Sequence, residues 1–128
     1  MKTTCAAIVL GLLVAVSVTG QDRKNEVLTQ ATMQKKLEYS KNILEGLATE
    51  DFDLISKNAA EMRKLSAFEA FVRYSDAQAY RTQLQVFDFA NMELIRAAEE
   101  KNLDGAALAF TQSTISCVNC HKSLRAKN

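Results

Sequence analysis

The residues best suited to chemistry lie near the C-terminus. Cys117, Cys120 and His121 stand in the stretch CVNCH, and only seven residues follow them. Two thiols separated by two residues permit three chemistries. They can close a redox disulfide, supply half of a zinc site, or, with a histidine directly after the second cysteine, bond a haem through its two vinyl groups while the imidazole takes the iron. On a helix the three residues fall at i, i+3 and i+4, so one turn presents them together. Zinc asks for four ligands, and the chain has a single histidine and, apart from Cys5, two cysteines. A redox pair of this spacing belongs where a helix begins after a strand. The pattern reads as c-type attachment of one covalent haem, with a plain disulfide as the alternative.

The elements that must position the motif are helices. Beyond residue 20 there is no proline and only Gly46 and Gly105, too few turn formers for a strand-rich fold. Over roughly 26–48, Met33, Leu37, Ser40, Leu44 and Leu47 alternate by four and three, the spacing of one packed face. Thr49, followed by Glu50 and Asp51, is the expected cap of a second helix over roughly 51–65, whose face is Phe52, Ile55, Ala59 and Met62. KLSAFEAFVRYSD carries aromatics and no stop signal. A third helix begins after Ser75 or Asp76 with the longest seam: Ala77, Tyr80, Leu84, Phe87, Asn91, Leu94 and Ala98. KNLDG breaks the chain and Asp104 is the expected cap of a fourth helix. There Leu103, Ala107, Phe110, Thr114, Cys117, His121 and Leu124 set the motif on the inward face. Four such helices joined by short polar links predict an all-α, antiparallel four-helix bundle with its haem site near the C-terminus.

Residues 1–20 differ from the rest. Lys2 precedes the apolar run AAIVLGLLVAV, and SVTG follows with small residues suited to cleavage after Gly20. As a helix, Ala6 to Val18 spans about 20 Å against a hydrocarbon core of about 30 Å, so a signal peptide over 1–20 is expected and no stable membrane anchor after its removal. Residues 21–128 then form one domain, 108 of the 128 residues. Removing Lys2 from 16 basic residues leaves 15 against 15 acidic ones. That balance offers nothing to nucleic acid.

A chain of this size with a signal segment, four predicted helices and SCVNCHKSLR at its end resembles the cytochrome c-prime family, the class II c-type cytochromes with their low-spin relatives. The resemblance covers the order of helices and is most specific in the last one. It implies haem c held by thioethers at Cys117 and Cys120, His121 as proximal iron ligand, and Arg125 as the family's basic residue four positions later. It also implies a distal position early on the first helix, where Met33 is the matching candidate for a second iron ligand. Met62 and Met92 are expected in the core. The proline often found before the third helix is missing, and Phe68, Phe71 and Tyr74 are candidates for a haem wall or for ordinary packing. The family often dimerises through its first two helices, which makes a homodimer an expectation here. Lys35, Lys36, Glu38, Lys41 and Glu45 point instead to a solvated outer face on the first helix.

Three functions follow. The leading one is a periplasmic electron-transfer protein with Met33 and His121 as axial ligands, serving redox partner proteins. The second is a five-coordinate cytochrome that binds nitric oxide or carbon monoxide in a pocket without a distal hydrogen-bond donor. The third is a non-haem helical interaction protein with a disulfide. No nucleophile or acid and base constellation accompanies the motif, so an enzyme is not expected.

Overall fold

The computed structural model describes the backbone of residues 4–72 and 78–126, and the side chains of 26–72, 78 and 80–126. Four helices follow in order: α1 (Thr4–Thr49), α2 (Phe52–Val72), α3 (Gln78–Glu99) and α4 (Leu103–Arg125). The expected caps at Ser75 or Asp76, the seam position Ala77 and the aromatic Tyr74 lie outside the described residues. The chain divides into two compact units, Met1–Lys35 and Lys36–Asn128. The first is the N-terminal part of α1, and the second contains the rest of α1 with α2, α3 and α4. Helix α1 starts far ahead of the expected residue 26, because no proline interrupts the apolar run before it. Among the described residues no helix is long and apolar enough to cross a membrane.

Within the second unit the helices reverse direction through two short links of the same design. Asp51 N–H donates to the Gly46 carbonyl at 2.9 Å, and Asn102 N–H donates to the Ala97 carbonyl at 2.8 Å. The residue before each, Glu50 and Lys101, has φ of 56°, the left-handed cap that satisfies the last carbonyls of a helix. The same Asp51 and Asn102 then start the next helix. Asp51 Oδ1 accepts from Leu54 N–H at 2.9 Å and Asn102 Oδ1 from Gly105 N–H at 2.9 Å. The caps are therefore not the expected Thr49 and Asp104. Thr49 closes α1, its hydroxyl donating to the Glu45 carbonyl, and Asp104 sits in the first turn of α4.

The core joins Ile43 of α1, Ile55, Ala59 and Met62 of α2, Phe87, Leu94, Ala97 and Ala98 of α3, and Ala106 and Ala109 of α4. The α2 and α3 seams lie where the spacing predicts. Helix α2 also runs past the expected Leu65 through SAFEAFV to Val72, adding Ser66 and Glu69 to its buried stripe. Helices α1 and α4 differ: each is turned by about one residue from its expected face. On α1, Ile43 and Gly46 are buried while Leu37 and Leu44 are exposed. On α4 the buried stripe is Ala106, Ala109, Ser113 and Ser116, and Ala107, Thr114, Cys117 and His121 are exposed. Small side chains let α4 approach α3 closely, which a count of large apolar residues does not register.

Candidate functional site

Helix α4 carries the motif because nothing in Leu103–Arg125 breaks it: Asn102 caps its start, and Lys122 and Arg125 complement the dipole at its end. Ser116 Oγ donates to the Gln83 carbonyl at 3.2 Å and so fixes the motif turn against α3. One turn away, Asn91 Nδ2 donates to Ser113 Oγ at 3.1 Å and to the Phe87 carbonyl at 2.8 Å. These inward contacts set Cys117 and His121 on the flank of the bundle, with Cys120 half-buried between them and the core. The motif therefore does not lie on the inward face expected for it. Its three functional side chains still share one turn, and Cys117 and Cys120 are not joined in a disulfide.

The Cys117 residue is exposed as a whole, yet its thiol is set among neighbouring atoms. Burial is the larger influence and pushes that thiol above its ordinary range, while the Lys36 ammonium pulls it back and Cys120 raises it further. The sulfur is therefore a thiol at neutral pH. Among the described residues no group of three or more His, Cys, Asp or Glu side chains is arranged to hold a metal ion. Two unbridged thiols three residues apart and an exposed imidazole on the same turn fit a haem, which bonds both sulfurs from one side of a helix.

Beside this turn lies a buried polar cluster. Lys36 on α1 pairs with Glu69 on α2, and its ammonium stands 4.8 Å from the centroid of the Phe87 ring on α3. Tyr80 Oη donates to the other Glu69 oxygen at 3.5 Å. Lys36 was expected on a solvated outer face; it is an inward residue with its charge compensated. The signal was present in the pattern. Lys36 lies seven residues before Ile43, and Glu69 seven after Met62, so both occupy core stripes, where a charge needs a partner.

The remaining candidates are dispersed. Arg125 is exposed in the last turn of α4, four residues after His121. Met33 is half-buried on α1 and belongs to the first unit. Met62 is in the core as expected, but Met92 is not: it is 40% exposed. Phe68 and Phe71 lie on α2 and are exposed, Phe71 at 83%, so neither packs in the core of the chain.

The fold is a four-helix bundle whose last helix carries two cysteines and a histidine on one turn. No protein-family model matches the chain, and no curated relative matches it. Solved structures do. Cytochrome c' from Rubrivivax gelatinosus superposes with a TM-score of 0.60 at 17% identity over 73% of this chain and 88% of that one. A nitric oxide complex of a variant cytochrome c prime from Alcaligenes xylosoxidans gives 0.60 at 21% identity, over 73% and 86%. A ferrous variant of the same cytochrome with bound NO gives 0.61 at 23%, over 73% and 87%. The helical fold of this chain is that of the cytochromes c prime.

Proposed function

We propose that the chain is an exported c-type cytochrome of the cytochrome c-prime family, carries one covalent haem c, and works as a periplasmic electron-transfer protein. The observation that carries this is the single turn of α4 that offers two unbridged cysteines and an exposed histidine, in a chain with the fold of cytochromes c prime. A bound haem supplies a one-electron iron couple. The residues do the rest: Cys117 and Cys120 bond the macrocycle, His121 binds the iron from the proximal side, Arg125 places positive charge one turn beyond it, and Met33 is the candidate distal ligand. Residues 1–20 take the chain to the compartment where such attachment is made. An intact mass and visible spectra of the exported protein, oxidised and reduced, test the reading. Attached haem with a sharp, split pair of reduced bands is expected, and substituting Met33 by Ala should convert it to the high-spin form. The bare polypeptide mass overturns the haem assignment.

A second reading is supported by neighbours of the same fold that hold nitric oxide. In it the iron is five-coordinate and the protein binds nitric oxide or carbon monoxide. A broad, merged reduced band in the unsubstituted protein, unchanged by Met33→Ala, selects this reading over the electron carrier.

A further inference from the structure

Tyr80, Gln83 and Phe87 occupy successive turns of α3, and each holds a different neighbour. Tyr80 Oη donates to Glu69 at 3.5 Å, and the Gln83 carbonyl holds Ser116, the residue before Cys117, at 3.2 Å. The Phe87 ring lies 4.8 Å from the Lys36 ammonium, which is paired with Glu69. Both charged side chains are withdrawn from water, Lys36 at 13% and Glu69 at 5% exposure. The pair is thus lodged on the same stretch of α3 that anchors the attachment turn. A buried ion pair of this kind is seldom favourable for stability alone, since desolvation offsets most of the attraction. It does create a fixed, weakly screened field at its position.

We propose that Lys36, held by Glu69 over Phe87, is an electrostatic tuning residue for the haem bound at Cys117 and Cys120, its positive charge favouring the reduced iron. The inference rests on the haem reading above. The direction follows from charge: an electron added to the iron from an outside donor is stabilised by a nearby cation and opposed by a nearby anion. The Lys36 ammonium stands over Phe87, one turn of α3 from Gln83, whose carbonyl holds Ser116 beside Cys117. In keeping with that placement, its field draws down the affinity of the Cys117 thiol for its proton. Glu69 moderates that field.

Potentiometric titration of the exported holoprotein tests this, with mass and band shape recorded for every variant. Lys36→Met should lower the midpoint, changing the ratio of reduced to oxidised protein at fixed ambient potential by about tenfold, or about 59 mV for one electron. Glu69→Gln should move it the opposite way, and Lys36→Arg should leave it near the starting value. If Lys36→Met is not recovered folded, the sign of Glu69→Gln and the constancy of Lys36→Arg decide. Haem-loaded variants whose potentials do not move, or move in the same direction, overturn the tuning role and leave a structural ion pair. A wild-type chain exported without haem overturns the parent reading instead, and the inference with it.

Discussion

Helix α3 is packed by two neighbours in two different ways. Against α2 it meets Ile55, Ala59 and Met62 with Phe87 and Leu94, and Arg63 adds a two-pronged pair to Asp88 at 2.8 and 3.2 Å on the outer edge. That carboxylate is what raises the Arg63 guanidinium above its ordinary range. Against α4 the contact is made by Ala106, Ala109, Ser113 and Ser116, with hydrogen bonds from Asn91 and Ser116 taking the place of large apolar side chains. The difference explains where the chemistry sits. A helix that turns its small residues inward must carry its large and reactive ones on the flank, so Leu108, Ile115 and Val118 are exposed together with Cys117 and His121. The α2 side builds stability; the α4 side builds a presentable site.

The largest expected effect lies on the α2 side. Leu94 is fully buried, and Leu94→Ala should cost about 2–5 kcal/mol from lost transfer energy and the cavity left behind, read by denaturant unfolding. On the α4 side the sensitivity is to added volume. Ala109 is 4% exposed, and Ala109→Leu should force α4 away from α3 at a cost of about 1–3 kcal/mol. A tolerated Ala109→Leu would show that the small stripe does not set the spacing of these helices.

The two sides also differ in how far they were legible in the sequence. On α2 and α3 the stripe picked out by apolar spacing is the buried one, so spacing alone locates Ile55, Ala59, Met62, Tyr80, Leu84, Phe87 and Leu94, while Phe71 and Phe89, off that stripe, are exposed. On α4 two stripes run one residue apart. The bulkier one, through Phe110, Cys117 and Leu124, draws the eye, while the inner one is marked only by alanine and serine. On α1 the inner stripe includes Lys36: its spacing from Ile43 marks the position, but its partner Glu69 lies 33 residues further along the chain on another helix, so local spacing does not name that partner. The motif itself was fully legible, because its spacing within one turn does not depend on which way the helix faces.

Hydrogen bonds on the α4 side give a smaller effect. Ser116 is 2% exposed and its hydroxyl reaches the Gln83 carbonyl, so Ser116→Ala should cost about 0.5–1.5 kcal/mol. That carbonyl belongs to a helix, so little more is expected. A loss as large as that of Leu94→Ala would mean that the turn before Cys117 is held by this contact above all.

The smallest expected effect tests the comparison from the outside. Leu108 and Ile115 are large apolar residues on α4, exposed at 62% and 53%. Replacing either by Ala removes little buried area, and alanine is the better helix former, so stability should change by no more than about 0.5 kcal/mol. The measurement is denaturant unfolding at two protein concentrations. Insensitivity at both would confirm that α4 keeps its bulk outside while its alanines and serines face α3. A loss near that of Leu94→Ala would place these side chains in contact with other parts of the protein, or with a second copy if the loss grew with concentration.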